Sequence, residues 1–132
     1  MKKINFYHLR TKPVFKEING KTIKDGGHPF ATVAIEFNGD GTVNRGVSIC
    51  SPDDQFVKRV GSQKALGRLM SAKKRNENIM EIESFAKNQN KIMKKYGADG
   101  VMFPNTNFKY LGMVNDMPTE DEKVLFADEL SS

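Results

Sequence analysis

Residues 30 to 50 decide the fold: Phe30-Ala31-Thr32-Val33-Ala34-Ile35-Glu36-Phe37, then Asn38-Gly39-Asp40-Gly41, then Thr42-Val43-Asn44-Arg45-Gly46-Val47-Ser48-Ile49-Cys50. The first run places Ala31, Val33, Ile35 and Phe37 on one side of an extended chain, because side chains alternate with period two. The last run does the same with Val43, Arg45, Val47 and Ile49. The glycines between them tolerate the positive φ that a tight antiparallel connection demands. This is a β-hairpin with one apolar face. Arg45 interrupts that face. It lies either near the strand end in solvent or aimed at a ligand.

Upstream, residues 3 to 11 alternate loosely, with Ile4, Phe6 and His8 together, and Pro13 ends the run for want of an N–H. Asn19-Gly20 is a two-residue turn signal, and it predicts a minor hairpin of Val14–Ile18 with Lys21–Lys24. Downstream the period changes to helical. Ser51 is a natural N-cap, Pro52 suits the first helical position, and Asp53 and Asp54 suit the positive end of the dipole. That helix is expected to run to about Lys74, with Phe56, Val57, Val60, Leu66, Leu69 and Met70 as its apolar residues. Gly61 and Gly67 would let a second backbone or a ligand come close, and close packing is the plainer reading.

A second helix is expected from about Glu77 to Tyr96, with Ile82, Phe85, Ala86, Gln89, Met93 and Tyr96 at helical spacing. Gly97 would end it. Val101–Phe103 and Phe108–Leu111 read as short strands around Pro104-Asn105-Thr106-Asn107. Thr119-Glu120-Asp121-Glu122 is a capping box for a last short helix carrying Val124, Leu125 and Phe126. The expected fold is a single α+β domain over residues 1–132: an N-terminal antiparallel sheet, two longer helices, a short β or loop segment and a short C-terminal helix.

Composition narrows the function. The 132 residues are 38% hydrophobic and 28% charged, enough for one small core. No apolar run approaches the about 18 to 20 residues that span a bilayer. The opening Met-Lys-Lys followed by Ile4-Asn5-Phe6-Tyr7-His8 is too polar for a secretory signal. Cys50 is the one cysteine, so an intrachain disulfide and a thiol zinc knuckle are both excluded, and a reducing cytosol is expected. Phosphate-loop and dinucleotide glycine patterns are absent. The net charge of +5 is unevenly spread. Residues 55–109 carry 12 basic and 4 acidic side chains, and residues 110–132 carry 1 basic and 6 acidic. The middle attracts anions, unless it is simply a solvated helical face.

No enzyme emerges. His8, His28 and Cys50 lie on separate segments with no metal-ligand spacing, so neither a metal nor any other cofactor is expected. Cys50 reads as a small apolar side chain at a strand end, and His28 as a loop residue. Asp53 and Asp54 are explained by capping. Lys58, Arg59, Lys64 and Arg68 share one helix and could hold a multiply charged anion. The run Lys73-Lys74-Arg75 could sit on nucleic-acid phosphates or be a solvated helix end. Phe103 to Phe108 could stack and hydrogen-bond a nucleobase, or be core aromatics around a polar turn.

The stretch Gly46-Val47-Ser48-Ile49-Cys50-Ser51-Pro52-Asp53-Asp54-Gln55-Phe56, with Ala65-Leu66-Gly67-Arg68-Leu69 beyond it, resembles the phage Thoeris anti-defence proteins of the first type. The likeness spans most of the chain and is strongest from His28 to Leu69. It implies a sponge that binds cyclic ADP-ribose immune signals without degrading them. It also implies assembly from dimers into a hexamer, sites for cyclic di- or trinucleotides in some members, and a place in the cytoplasm of the infected bacterial host. The family's ligand residues are not carried over. The ligand set expected on chemical grounds is Arg45, Arg59 and Arg68 for phosphate, Phe85 or Phe108 for adenine stacking, and Asn88, Asn105 and Asn107 for the base edge or ribose. Two other classes stay open: a small basic phage protein that binds nucleic acid, and an inhibitor that blocks a host defence protein by direct contact.

Overall fold

A computed structural model of the chain describes residues 3–10, 14–25, 29–50, 55–80, 91, 94 and 110–131. Strands β1 (Ile4–Arg10), β2 (Val14–Ile18), β3 (Lys21–Asp25), β4 (Pro29–Phe37) and β5 (Val43–Ile49) come first. Helix α1 (Lys58–Arg75), β6 (Ile79–Met80), β7 (Tyr110–Asp116), α2 (Glu120–Leu125) and α3 (Ala127–Ser131) follow. The fold is α+β: the described residues include an antiparallel sheet, the long helix α1 and short helices near the C-terminus. Among the described residues no helix is long and apolar enough to cross a membrane.

The hairpin of residues 30–50 is the centre of the sheet, whose order is β1-β4-β5-β7-β6. Val33 pairs with Val47, Ile35 with Arg45 and Phe37 with Val43, as one apolar face requires. Gly39 and Gly41 take φ of 86° and 90°, which a side chain would disfavour. Asp40 holds the turn by accepting from the Thr42 N–H at 2.9 Å. Asn19 and Gly20 likewise take φ of 54° and 76° and close the separate β2–β3 hairpin. Val33, Val47, Leu111 and Met113 form a buried apolar cluster on the face that the hairpin pattern defines.

The opposite face is buried as well, under α1. Ala34, Gly46 and Gly112 stand side by side across β4, β5 and β7, and the helix lies directly on them. A Cβ on Gly46 would overlap the Ala65 carbonyl oxygen and the Leu69 nitrogen, and one on Gly112 would come 2.7 Å from the Arg68 carbonyl oxygen. On the helix side the buried residues are Ala65, Leu69 and Ala72. Gly61 joins them, since a Cβ there would sit 2.6 Å from Thr32 Oγ1. Small residues on both surfaces set the close approach, and Leu69 fills what remains.

Several expectations need correction. The helix does not start at Ser51-Pro52. Residues 51–54 lie outside those described, Gln55–Val57 are not helical, and α1 begins at Lys58 behind an extended Val57 with no side-chain cap. The ladder runs on to Cys50, whose N–H donates to the Phe30 carbonyl at 2.8 Å. Contacts of Gly61 with Thr32, Ala65 with Gly46 and Lys73 with Glu36 run back along β5. The inward stripe is partly different: Leu69 is buried with Leu66 packed beside it, whereas Val57, Val60 and Met70 are exposed and Ala65 and Ala72 take places against the sheet. Gly67 meets nothing within 4 Å, so close packing explains Gly61 and not Gly67.

The second helix does not begin at Glu77. Asn76 turns left-handed at φ 53°, donating to the Ala72 and Lys73 carbonyls. Ile79–Met80 is then a strand on β7, with Ile79 opposite Gly112. Lys91 and Lys94 are helical and exposed, and the rest of that expected helix lies outside the described residues. So do the expected strand Val101–Phe103, the Pro104–Asn107 loop and His28. The strand expected to end at Leu111 continues to Asp116 and takes an interior place between β5 and β6. The capping box is present as read, with Thr119 and Glu122 exchanging hydrogen bonds. Val124 and Leu125 are nevertheless exposed, and Phe126 alone turns in, onto Tyr7 and Phe37.

Candidate functional site

Arg45 is neither in solvent nor free for a ligand. It is fully buried and anchors the C-terminal segment to the sheet. Its Nε donates to Glu122 Oε2 at 2.8 Å and its Nη2 to Glu122 Oε1 at 2.5 Å. Nη1 donates to Asp116 Oδ2 at 2.5 Å and touches Met113 Sδ at 3.7 Å, and Nη2 also donates to the Met117 carbonyl at 2.8 Å. These contacts occupy all five guanidinium N–H groups, so Arg45 leaves the expected phosphate set.

Glu122 is equally committed. Besides Arg45, its carboxylate accepts from the Tyr7 hydroxyl at 2.5 Å and from the Thr119 N–H at 2.9 Å. Burial pushes the Glu122 carboxyl up, but hydrogen bonding and attraction from Arg45 outweigh it and hold the group below its ordinary value. Burial likewise pushes Arg45 down and is outweighed by Glu122, so the guanidinium stays charged. Burial, reinforced by the Glu122 charge, raises the Tyr7 phenol well above its ordinary value, so Tyr7 remains a donor. The arrangement is a neutralised, hydrogen-bonded core with Asp116 as a second, partly exposed acid.

The α1 side presents a different chemistry. The helix sequence Lys58-Arg-Val-Gly-Ser-Gln-Lys-Ala-Leu-Gly-Arg-Leu-Met-Ser-Ala-Lys-Lys-Arg75 holds seven cations and no acid. Lys58, Arg59, Lys64, Lys74 and Arg75 are exposed. Arg68 is half-buried and donates to the Val47 carbonyl at 2.6 Å, one residue past the Gly46–Gly112 pair that ends the β5–β7 register. Burial lowers its pKa, yet an arginine remains protonated at neutral pH. Lys73 is tied at 2.9 Å to buried Glu36, whose other oxygen accepts from Asn44 at 3.0 Å. Asn44 in turn exchanges hydrogen bonds with Asn38. This polar chain pins the end of α1 to the hairpin turn. It divides the 73–75 run into one structural lysine and two exposed cations.

His8 faces α1, sharing a hydrogen bond with Thr32 Oγ1 at 2.9 Å and meeting the Phe56 ring edge-on at 5.6 Å. Burial, with Lys58 and Arg10 nearby, pushes its pKa down, so it is neutral at pH 7. Cys50 is half-buried rather than buried. Among the described residues no three His, Cys, Asp or Glu side chains gather as a metal site.

Of the eight expected ligand residues, then, Arg45 is structural, Arg59 is exposed on α1 and Arg68 lines the α1–β5 junction. Phe85, Asn88, Asn105, Asn107 and Phe108 lie outside the described residues. The reading of the sequence missed Glu122 as a partner of Arg45. The available signal was an arginine on an apolar face together with a chain whose C-terminal acids exceed what one helix cap needs. Glu36 and Gly46 were also missed, since attention to one face of the hairpin left the other unread.

No family model matches the chain, and neither a search of curated proteins nor one of solved structures finds a match.

Proposed function

We propose that the protein is a phage anti-defence sponge that binds and sequesters a cyclic nucleotide immune signal, of the cyclic ADP-ribose type, without degrading it. One observation carries the reading from the side of the structure: an 18-residue helix with no acid of its own and seven cations along its length, of which Lys73 alone, among the described residues, is paired in a salt bridge, to Glu36. Such a helix concentrates anions at its surface. Arg59 offers an exposed planar fork, and Arg68 a partly preorganised one. The choice among anions comes from the resemblance of residues 46–56 and 65–69 to the Thoeris anti-defence family. Sequestration needs slow release rather than chemistry, which agrees with the absence of any catalytic pattern in the sequence.

The test is isothermal titration with a panel of cyclic ADP-ribose isomers and cyclic di- and trinucleotides, followed by heat denaturation and analysis of the released ligand. Tight binding with intact ligand recovered is the expected result. Heat with none of them overturns the proposal. Exposed Lys74 and Arg75 favour one second reading, binding to nucleic acid. That reading predicts affinity for duplex DNA that falls steeply with salt and is lost in the Lys74→Ala/Arg75→Ala variant. Lys73 should be left in place there, because its removal strands the buried Glu36 carboxylate.

A further inference from the structure

We propose that residues 117–131 are a latch held by charge, which leaves the sheet as one unit while the hairpin of residues 30–50, α1 and β7 stay folded. The inference does not depend on which ligand α1 attracts. A helix docked on a core ordinarily buries an apolar stripe. α2 buries a carboxylate instead. Glu122 is its one buried side chain, while Val124 and Leu125 are 80% and 58% exposed. Met117, just ahead of it, is 61% exposed. The ties converge on Arg45 of β5: both Glu122 oxygens, Asp116 at the end of β7 and the Met117 carbonyl accept from its guanidinium. Tyr7 of β1 donates its hydroxyl to Glu122 as well. The apolar anchor is Phe126, whose ring lies 5.9 Å from that of Tyr7 and 5.4 Å from that of Phe37.

Such a contact is easier to break than the rest of the core. In the closed state the cost of drying two charges offsets much of their attraction. In the open state both regain water. The hairpin has no such exit, because Val33, Ile35 and Val47 are buried and apolar. α2 and α3 come off together. Six and five residues are too few to persist as isolated helices, and the Leu130 N–H donates to the Phe126 carbonyl across their junction. The boundary lies at the end of β7. Val114 and Asn115 stand opposite Asn44 alone, a bulge in which Asn115 takes a φ of 52°. The Asn115 N–H donates to Asn44 Oδ1 at 2.9 Å, so the strand is pinned up to this point. The charge on Glu122 is the switch. The titratable groups around it are Arg45, Tyr7 and Asp116, with Asp121 near Tyr7 on the same helix as Glu122. Arg45 and Tyr7 keep their protons in acid, so protonating Glu122 removes the attraction that closes the latch.

Native-state hydrogen exchange on the full chain at pH 7, read residue by residue by NMR, tests this. The Lys123, Phe126 and Leu130 amides are bonded within the segment. They should exchange through an opening at least tenfold more populated than that of the β4 amides. Gly67→Ala strengthens α1, so it should slow the β4 amides about fivefold and leave those three unchanged. Glu122→Gln should speed both groups at least tenfold, because both openings break the Arg45 contact. Lowering the pH from 6 to 3.5 should enlarge the opening of the segment, after allowance for intrinsic rates, in the wild type and not in Glu122→Gln. Equal protection of the segment and β4 in the wild type would overturn the proposal, as would a Gly67→Ala effect of equal size on both. So would a Glu122→Gln variant whose segment exchanges like the wild type or responds to acid as strongly.

Discussion

The two faces of the central hairpin are held by opposite means. Beneath α1 the sheet offers Ala34, Gly46 and Gly112, and the helix backbone rests on them. Beneath the C-terminal segment it offers Arg45, and Glu122 and Asp116 close around the guanidinium. The first contact works by removing side chains, the second by neutralising charge in a dry site. The difference governs what each face can do. The α1 contact rests mainly on apolar and small residues, with Arg68 and Lys73 tied to the sheet, so Lys58, Arg59, Lys64, Lys74 and Arg75 remain on the outside. The C-terminal contact consumes its arginine, and nothing of it is left for a ligand.

The largest effect expected from breaking this comparison is on the ionic side. Arg45→Ala strands Glu122 in a buried position and should cost about 3–5 kcal/mol in a urea melt. Arg45→Met/Glu122→Leu should cost much less, because no buried charge is left unpaired. A double variant as unstable as the single one would show that the pair stabilises the fold beyond neutralising itself. The pH dependence has a definite sign. Glu122 is held below its ordinary value of 4.5, so its contribution is complete above that value and is lost as pH falls through the depressed one. Wild-type stability should fall below about pH 4.5, and that loss should flatten in Arg45→Met/Glu122→Leu.

On the α1 side, Gly46→Ala forces a methyl group into the helix backbone. It should cost about 3 kcal/mol, the upper range for overpacking, with Arg45 untouched. If the loss is under about 1 kcal/mol, the helix does not rest on the strand as described. The smallest effect has the opposite sign. Gly67 is helical, takes no unusual φ and meets nothing within 4 Å. Gly67→Ala should therefore raise stability by about 1 kcal/mol. It is the sharper control, because the same substitution at Gly61 meets Thr32.

Much of this was legible in the sequence, for identifiable reasons. The hairpin of residues 30–50, the Asn19-Gly20 turn and the Thr119 capping box are local patterns, and local patterns survive folding. The helix start was misread because Ser51-Pro52 is a good local signal that tertiary geometry overrides. The helix must begin where it can lie back along β5. The inward face of α1 was misread because apolar size was taken as the sign of burial, whereas two glycines 66 residues apart, Gly46 and Gly112, select for alanine. Arg45 was noticed but assigned wrongly. Its partner lies 77 residues away, a distance no periodicity spans.

The central claim is that one face binds anions while the other holds the fold. Calorimetric titration of a cyclic ADP-ribose panel into Arg59→Glu/Lys64→Glu and into Arg45→Met/Glu122→Leu tests it most directly. The account predicts that the first variant keeps the wild-type melting temperature and loses binding at least a hundredfold, while the second binds like the wild type. Binding that survives in the first variant and vanishes in a folded second one would contradict it.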